Sequence, residues 1–175
     1  MKNSIIMAVL FCSIAIFSKA QNLNPTKSKK AVTSAESGSH TLLTAYLDIK
    51  DAFVKSDAKS VSVKAERFQT TVKDLNVLLF SKNEKAAFLL FKDELIASAE
   101  KMQLSKSIED QRNYFASFSM LMSKLASELD LGNMRVYQQF CPMKKAYWLS
   151  ENKVINNPYY GEQMLTCGKI SATIN

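Results

Sequence analysis

The sequence predicts an all-α protein, an up-down four-helix bundle with an irregular C-terminal segment packed against it. Three observations predict it. Residues 39–131 contain neither glycine nor proline and are rich in Ala, Leu, Lys and Glu, the composition of uninterrupted helix. Apolar residues in that stretch recur at spacings of three and four, as in helices that bury one face. Gly132, Pro142, Pro158, Gly161 and Gly168 then follow within a short span, which marks a change to turns and extended pieces.

Each helix has a face and a start. The first runs from about Ser39 to Lys55, with Leu42, Tyr46, Ile49 and Phe53 aligned and Leu43, Leu47 and Val54 beside them. Asp57 is placed to cap the second by accepting a bond from a free first-turn amide, and Ala65, Phe68, Val72, Leu75 and Leu79 form its apolar face. Ser81 and Glu84 have capping-box spacing for the third, whose face holds Phe88, Phe91, Leu95, Ala99 and Met102. Ser107 and Asp110 make a similar start to the fourth, followed by Phe115, Phe118, Met122, Leu125 and Leu129, with Gly132 as its stop. Connections this short make consecutive helices antiparallel neighbours.

Residues 1–20 read as a secretory signal peptide. Lys2 is the positive start, Ile5 to Phe17 the apolar run, and Ser18-Lys19-Ala20 the small-residue cleavage site after Ala20. Phe11 stands before Cys12, where a lipoprotein signal wants a small residue. Residues 21–38, with Lys27, Ser28, Lys29 and Lys30, read as a flexible polar linker. Residues 39–131 make the bundle and 132–175 the C-terminal segment, with 39–172 as one domain. The expectation is a periplasmic or secreted protein with no membrane span after signal cleavage. The formal charge of +7 becomes +5 once Lys2 and Lys19 leave. The remaining lysines are scattered, not gathered into the stripe that nucleic acid requires.

Catalytic chemistry finds no purchase. His40 is the one histidine, and no serine or cysteine motif surrounds it. The carboxylate pairs Asp93-Glu94 and Glu109-Asp110 lie on helix surfaces, and neither a glycine-rich phosphate loop nor a CxxC motif is present. The expectation is therefore a protein that is not an enzyme. What remains is sulfur. Cys141-Pro142-Met143 puts a thiol and a thioether on one short arm, and Met164-Leu165-Thr166-Cys167 puts another pair on a second. Soft donors of this kind select soft ions, above all Cu(I). Cys141, Met143, Met164 and Cys167 are the candidate ligands, with Trp148 and His40 as accessory candidates. Zinc would want four Cys or His ligands, more than the chain without its signal peptide holds. The alternative is a Cys141–Cys167 disulfide, whose loop of about 26 residues corresponds to roughly 3.5 kcal/mol of stabilisation. Both readings stand at this level. Met102, Met120 and Met122 fall in helical patterns and read as core fillers.

The string Phe140-Cys141-Pro142-Met143, Tyr147-Trp148-Leu149-Ser150, Ile155-x-Asn157-Pro158-Tyr159-Tyr160-Gly161 and Met164-Leu165-x-Cys167-Gly168 resembles the C-terminal signature of the DUF3347 family. Tyr46-Leu47-x-Ile49-Lys50-Asp51-Ala52 with Asp57, and Gln111-Arg112-x-x-Phe115-x-x-Phe118-Ser119, resemble its first and fourth helices. The likeness runs over residues 41–170. It implies an exported protein of Bacteroidetes type, associated with copper and silver handling. The partner it implies is a periplasmic adaptor subunit of a heavy-metal efflux pump. It also implies the same four sulfur residues as ligands. Where many relatives have a small residue after the Cys-Pro-Met segment, this chain has Lys144-Lys145.

Overall fold

The computed structural model describes residues 33–174, with side chains from residue 38 onward; the expected signal peptide and residues 21–32 of the expected linker lie outside them. The four helices are α1 (Thr33–Val54), α2 (Ala58–Asp74), α3 (Lys82–Leu104) and α4 (Ile108–Ala126). A 3-10 turn at Val77–Leu79 precedes α3. Helix α1 begins ahead of the expected Ser39, so residues 33–38 belong to it and not to a linker. The caps are those expected. Asp57 Oδ1 accepts from Ser60 N at 2.9 Å, Ser81 and Glu84 form a reciprocal capping box, and Ser107 accepts from Asp110 N. The fourth helix stops at Ala126 rather than at Gly132, which instead turns the following loop at φ +58°.

The all-α expectation is corrected in the C-terminal quarter. That segment is not irregular but a three-stranded antiparallel sheet of order β2-β1-β3: β1 (Val136–Cys141), β2 (Ala146–Ser150) and β3 (Lys169–Ile174). Cys141 pairs with Ala146 across a four-residue hairpin loop, and the β1–β3 register is broken between Gln138 and Gln139. Lys145 takes the left-handed conformation that closes the loop, at φ +53°, without the Asn-Gly pair that would announce a hairpin.

One core joins helices and sheet. Leu42, Tyr46, Phe53, Phe68, Phe88, Leu95, Phe115 and Phe118 are continuous with Val136, Cys141, Trp148 and Leu149. Tyr46 joins the layers. Its ring stacks on Phe115 and Phe118 of α4, and its hydroxyl contacts Ser119 Oγ at 2.6 Å while accepting from Leu149 N of β2 at 2.9 Å. Burial pushes that hydroxyl far above the ordinary tyrosine range, against the opposing effect of its hydrogen bonds. Among the described residues no helix is long and apolar enough to cross a membrane.

Glu84 ties the helices to the loop before the sheet. Its carboxylate accepts from Ser81 N at 2.8 Å and from Asp130 N at 2.9 Å. Burial alone would raise its pKa; the hydrogen bonds to the charged form prevail and hold it below the usual carboxylate value. The stabilisation is therefore in place above the unfolded-state value and is lost as pH falls through the lower folded one. Glu84→Gln should cost about 1–2 kcal/mol at pH 7. It should also flatten the acid limb of stability measured by urea unfolding between pH 3 and 7; an unchanged limb would remove Glu84 as its source.

Candidate functional site

Cys141 is the last residue of β1 and is fully buried. The hairpin that follows folds back on it: Lys144 N lies 3.4 Å from the Cys141 sulfur and donates to it. Met143, in the loop, is 60 % exposed. Lys144 turns its ammonium to Asn113 Oδ1 on α4 at 2.6 Å, and Lys145 is exposed. The cation of Lys144 is thus spent on anchoring the loop to the helices.

The second arm is organised by Asn157. Its side chain is fully buried and all its polar groups are engaged. Nδ2 donates to the Cys141 sulfur at 3.2 Å and to the Cys167 carbonyl at 2.7 Å; Oδ1 accepts from Tyr159 N at 2.9 Å. The Asn157 backbone amide donates to Leu165 O at 2.8 Å, and its carbonyl accepts from Gly161 N at 3.0 Å. A single asparagine therefore holds both cysteine segments and closes the turn between them. Inside that turn a 3-10 helix, Gly161–Met164, carries Met164, and Cys167 N donates back to Met164 O at 3.0 Å. Met164 is 39 % exposed and Cys167 half-buried.

Two further residues fix this turn to the bundle. Arg112 of α4 donates from Nε to Pro158 O at 3.0 Å and from Nη2 to Phe53 O at 3.3 Å and Ser56 Oγ at 2.8 Å. Partial burial lowers its pKa; two of its acceptors, Phe53 O and Ser56 Oγ, lie at the C-terminal end of α1, where a cation is favoured. Tyr159 packs its ring against Phe115 and donates its hydroxyl to Tyr147 O. Burial raises its pKa well above the ordinary value.

Trp148 lies fully buried beside the turn. It meets Tyr159 edge-on at 6.2 Å, and Gly168 sits so close that a Cβ there would fall 2.7 Å from the indole ring. The indole N–H is buried with no hydrogen-bond partner among the described residues. His40 is held elsewhere: it is exposed on α1 and lines a groove of about 250 Å³ with Thr44, Asp48, Arg67 and Thr71 of α1 and α2. None of the four sulfur residues lines that groove.

The structure thus brings together Cys141, the backbone of Cys167 and the turn carrying Met164, with Met143 on the adjoining loop. It does not bring in His40. Among the described residues Cys141 and Cys167 are free thiols, and no disulfide joins them in this structure. Among the described residues no three His, Cys, Asp or Glu side chains gather as metal ligands. In the sequence Asn157 and Arg112 stand out only as members of the strings that resemble the family. Their roles are long-range contacts, which no local pattern reveals.

The model of a family described as protein of unknown function (DUF3347) matches residues 42–133, which run from within α1 through α4 and end before β1. No curated protein and no solved structure matches the chain.

Proposed function

Since the chain belongs to the DUF3347 family, a family with no assigned function, we propose from its own geometry that it is an exported carrier of a soft monovalent metal, Cu(I) or Ag(I). The observation that supports this is the Asn157 amide, which donates to the Cys141 sulfur and to the Cys167 carbonyl and so ties the end of β1 to the segment that carries Cys167. The donor chemistry suits the cargo: two thiols and two thioethers are soft. Met143 and Met164 are the exposed members and would meet the ion first. Cys141 is fully buried, and its sulfur already accepts two N–H bonds that would stabilise charge on it when a cation arrives. The Lys144 ammonium is held at Asn113, which lessens its repulsion of an incoming ion.

Export, periplasmic location and transfer to an efflux adaptor rest on the signal-like residues 1–20 and on the family resemblance. The helices, packed up-down as their short connections favour, would be the rigid support for the two arms. The test is anaerobic Cu(I) titration of the reduced chain, followed by native mass spectrometry and competition with a chromophoric Cu(I) chelator. One Cu(I) per chain is expected. Cys141→Ser/Cys167→Ser should lose it, and Met143→Leu/Met164→Leu should weaken it at least tenfold. No uptake by the reduced chain, or uptake unchanged in the cysteine double variant, would sink the proposal and return the segment to a purely structural role.

A further inference from the structure

The third helix is apolar on more than its buried side. Phe88, Leu95, Ala99 and Met102 point into the core, yet Leu89 and Leu90 are exposed, Leu90 at 71 %. Met120 of α4, expected as a core filler, is also 37 % exposed, whereas Met102 and Met122 are buried. Runs of exposed apolar residues on a helix are costly unless they serve contact.

Leu90 and Met120 each line one of two depressions that follow one another along the seam between α3 and α4. The first, about 650 Å³, is lined by Asn83, Ala86, Leu90 and Phe91 of α3 and by Lys124 and Glu128 of α4. The second, about 570 Å³, continues with Glu94, Ala97 and Lys101 of α3, Ala116 and Met120 of α4, and Lys145 and Tyr147 of the hairpin. The two helices run antiparallel along it, since Glu84 meets Asp130 at one end and Gln111 meets Met102 O at the other. On α3 the lining residues recur at intervals of three and four from Asn83 to Lys101, one stripe about 27 Å long. Alanines at 86, 97 and 116 leave room for a backbone to approach.

We infer that this seam is a docking groove for one amphipathic α-helix of a partner protein, bound through its apolar face, with acidic residues at the end that meets Lys101 and Lys145. The stripe spacing and the length match a helix of about 18 residues. The charge is uneven: Lys101 and Lys145 outnumber Glu94 in the depression at the hairpin end, whereas Lys124 is matched by Glu128 in the other. A second copy is the poorer occupant, because two concave seams facing one another leave both unfilled. The inference is independent of the metal reading.

The probe is a fluorescein-labelled 18-residue amphipathic peptide with leucines at helical spacing and two glutamates at one end, titrated with the full chain and read by anisotropy. Saturable binding is expected. Leu90→Lys/Met120→Lys should raise Kd at least tenfold with the helical circular dichroism unchanged. Lys101→Glu/Lys145→Glu should weaken the glutamate-ended peptide and strengthen one ended in lysines. Absence of binding by both peptides, or Kd values unmoved by either double variant, overturns the inference. So does a dimer in sedimentation that Leu90→Lys/Met120→Lys dissociates, which would assign the seam to a second copy.

Discussion

Trp148→Ala should lower the stability of the folded chain by about 3–5 kcal/mol, the range for emptying a large aromatic site in a core. Trp148 is among the largest fully buried side chains and the sole tryptophan. Its ring fills the space between β2, the Tyr159 ring and Gly168. Collapse into that space is hindered, because β2 is paired to β1 along its length and Gly168 has no side chain to move inward. For a chain of this size the loss corresponds to a Tm decrease on the order of 10 °C, read by circular dichroism. Trp148→Phe should recover much of it. Phenylalanine keeps the apolar contact and removes an indole N–H that has no partner among the described residues, a group that costs free energy to bury. A Trp148→Ala protein as stable as the wild type would show that the C-terminal sheet is not part of the cooperative core.

The helices were legible because their signals are local. As caps, Asp57, Ser81, Glu84 and Ser107 each bond within three residues of themselves, and the apolar spacing reports which face is covered. Of the sheet only a short extended piece at Val136, Tyr137 and Phe140 was legible, and the strand pairing was not, for the opposite reason. In β1, Val136-Tyr137-Gln138-Gln139-Phe140-Cys141 lacks a clean period of two, and buried Gln139 spends its amide on Asn152 O and Val154 O. In β3, every residue before Ile174 is exposed, so no apolar alternation marks it as a strand. The sulfur residues could be picked out by type and spacing. Asn157 could not, since its value lies in reaching Cys141 across 16 positions and Cys167 across 10. Arg112 reaches further still, to Phe53 and Pro158.

Gly161 is where those long-range contacts converge, and replacing it should loosen the whole second arm. It sits at φ +56°, in the left-handed region that costs a residue with a Cβ about 1–2 kcal/mol. A Cβ there would also fall 2.4 Å from Ser56 Oγ, 3.0 Å from Val54 O and 3.1 Å from Arg112 Nη2. The serine can rotate away only by giving up the bond it accepts from Arg112, and the Val54 carbonyl belongs to the end of α1 and cannot yield cheaply. Strain and collision together should cost Gly161→Ala about 2–4 kcal/mol. Because Gly161 N also donates to Asn157 O, the turn that holds Asn157 against the Cys141 sulfur should open with it. The sharpest reading is therefore chemical: Cys141, fully buried in the wild type, should react with a thiol reagent at least tenfold faster in Gly161→Ala under native conditions. Adding Ser56→Ala should restore part of the stability by removing the nearest contact. A Gly161→Ala chain with wild-type stability and a protected Cys141 would mean that the turn is not what keeps the two sulfur arms together.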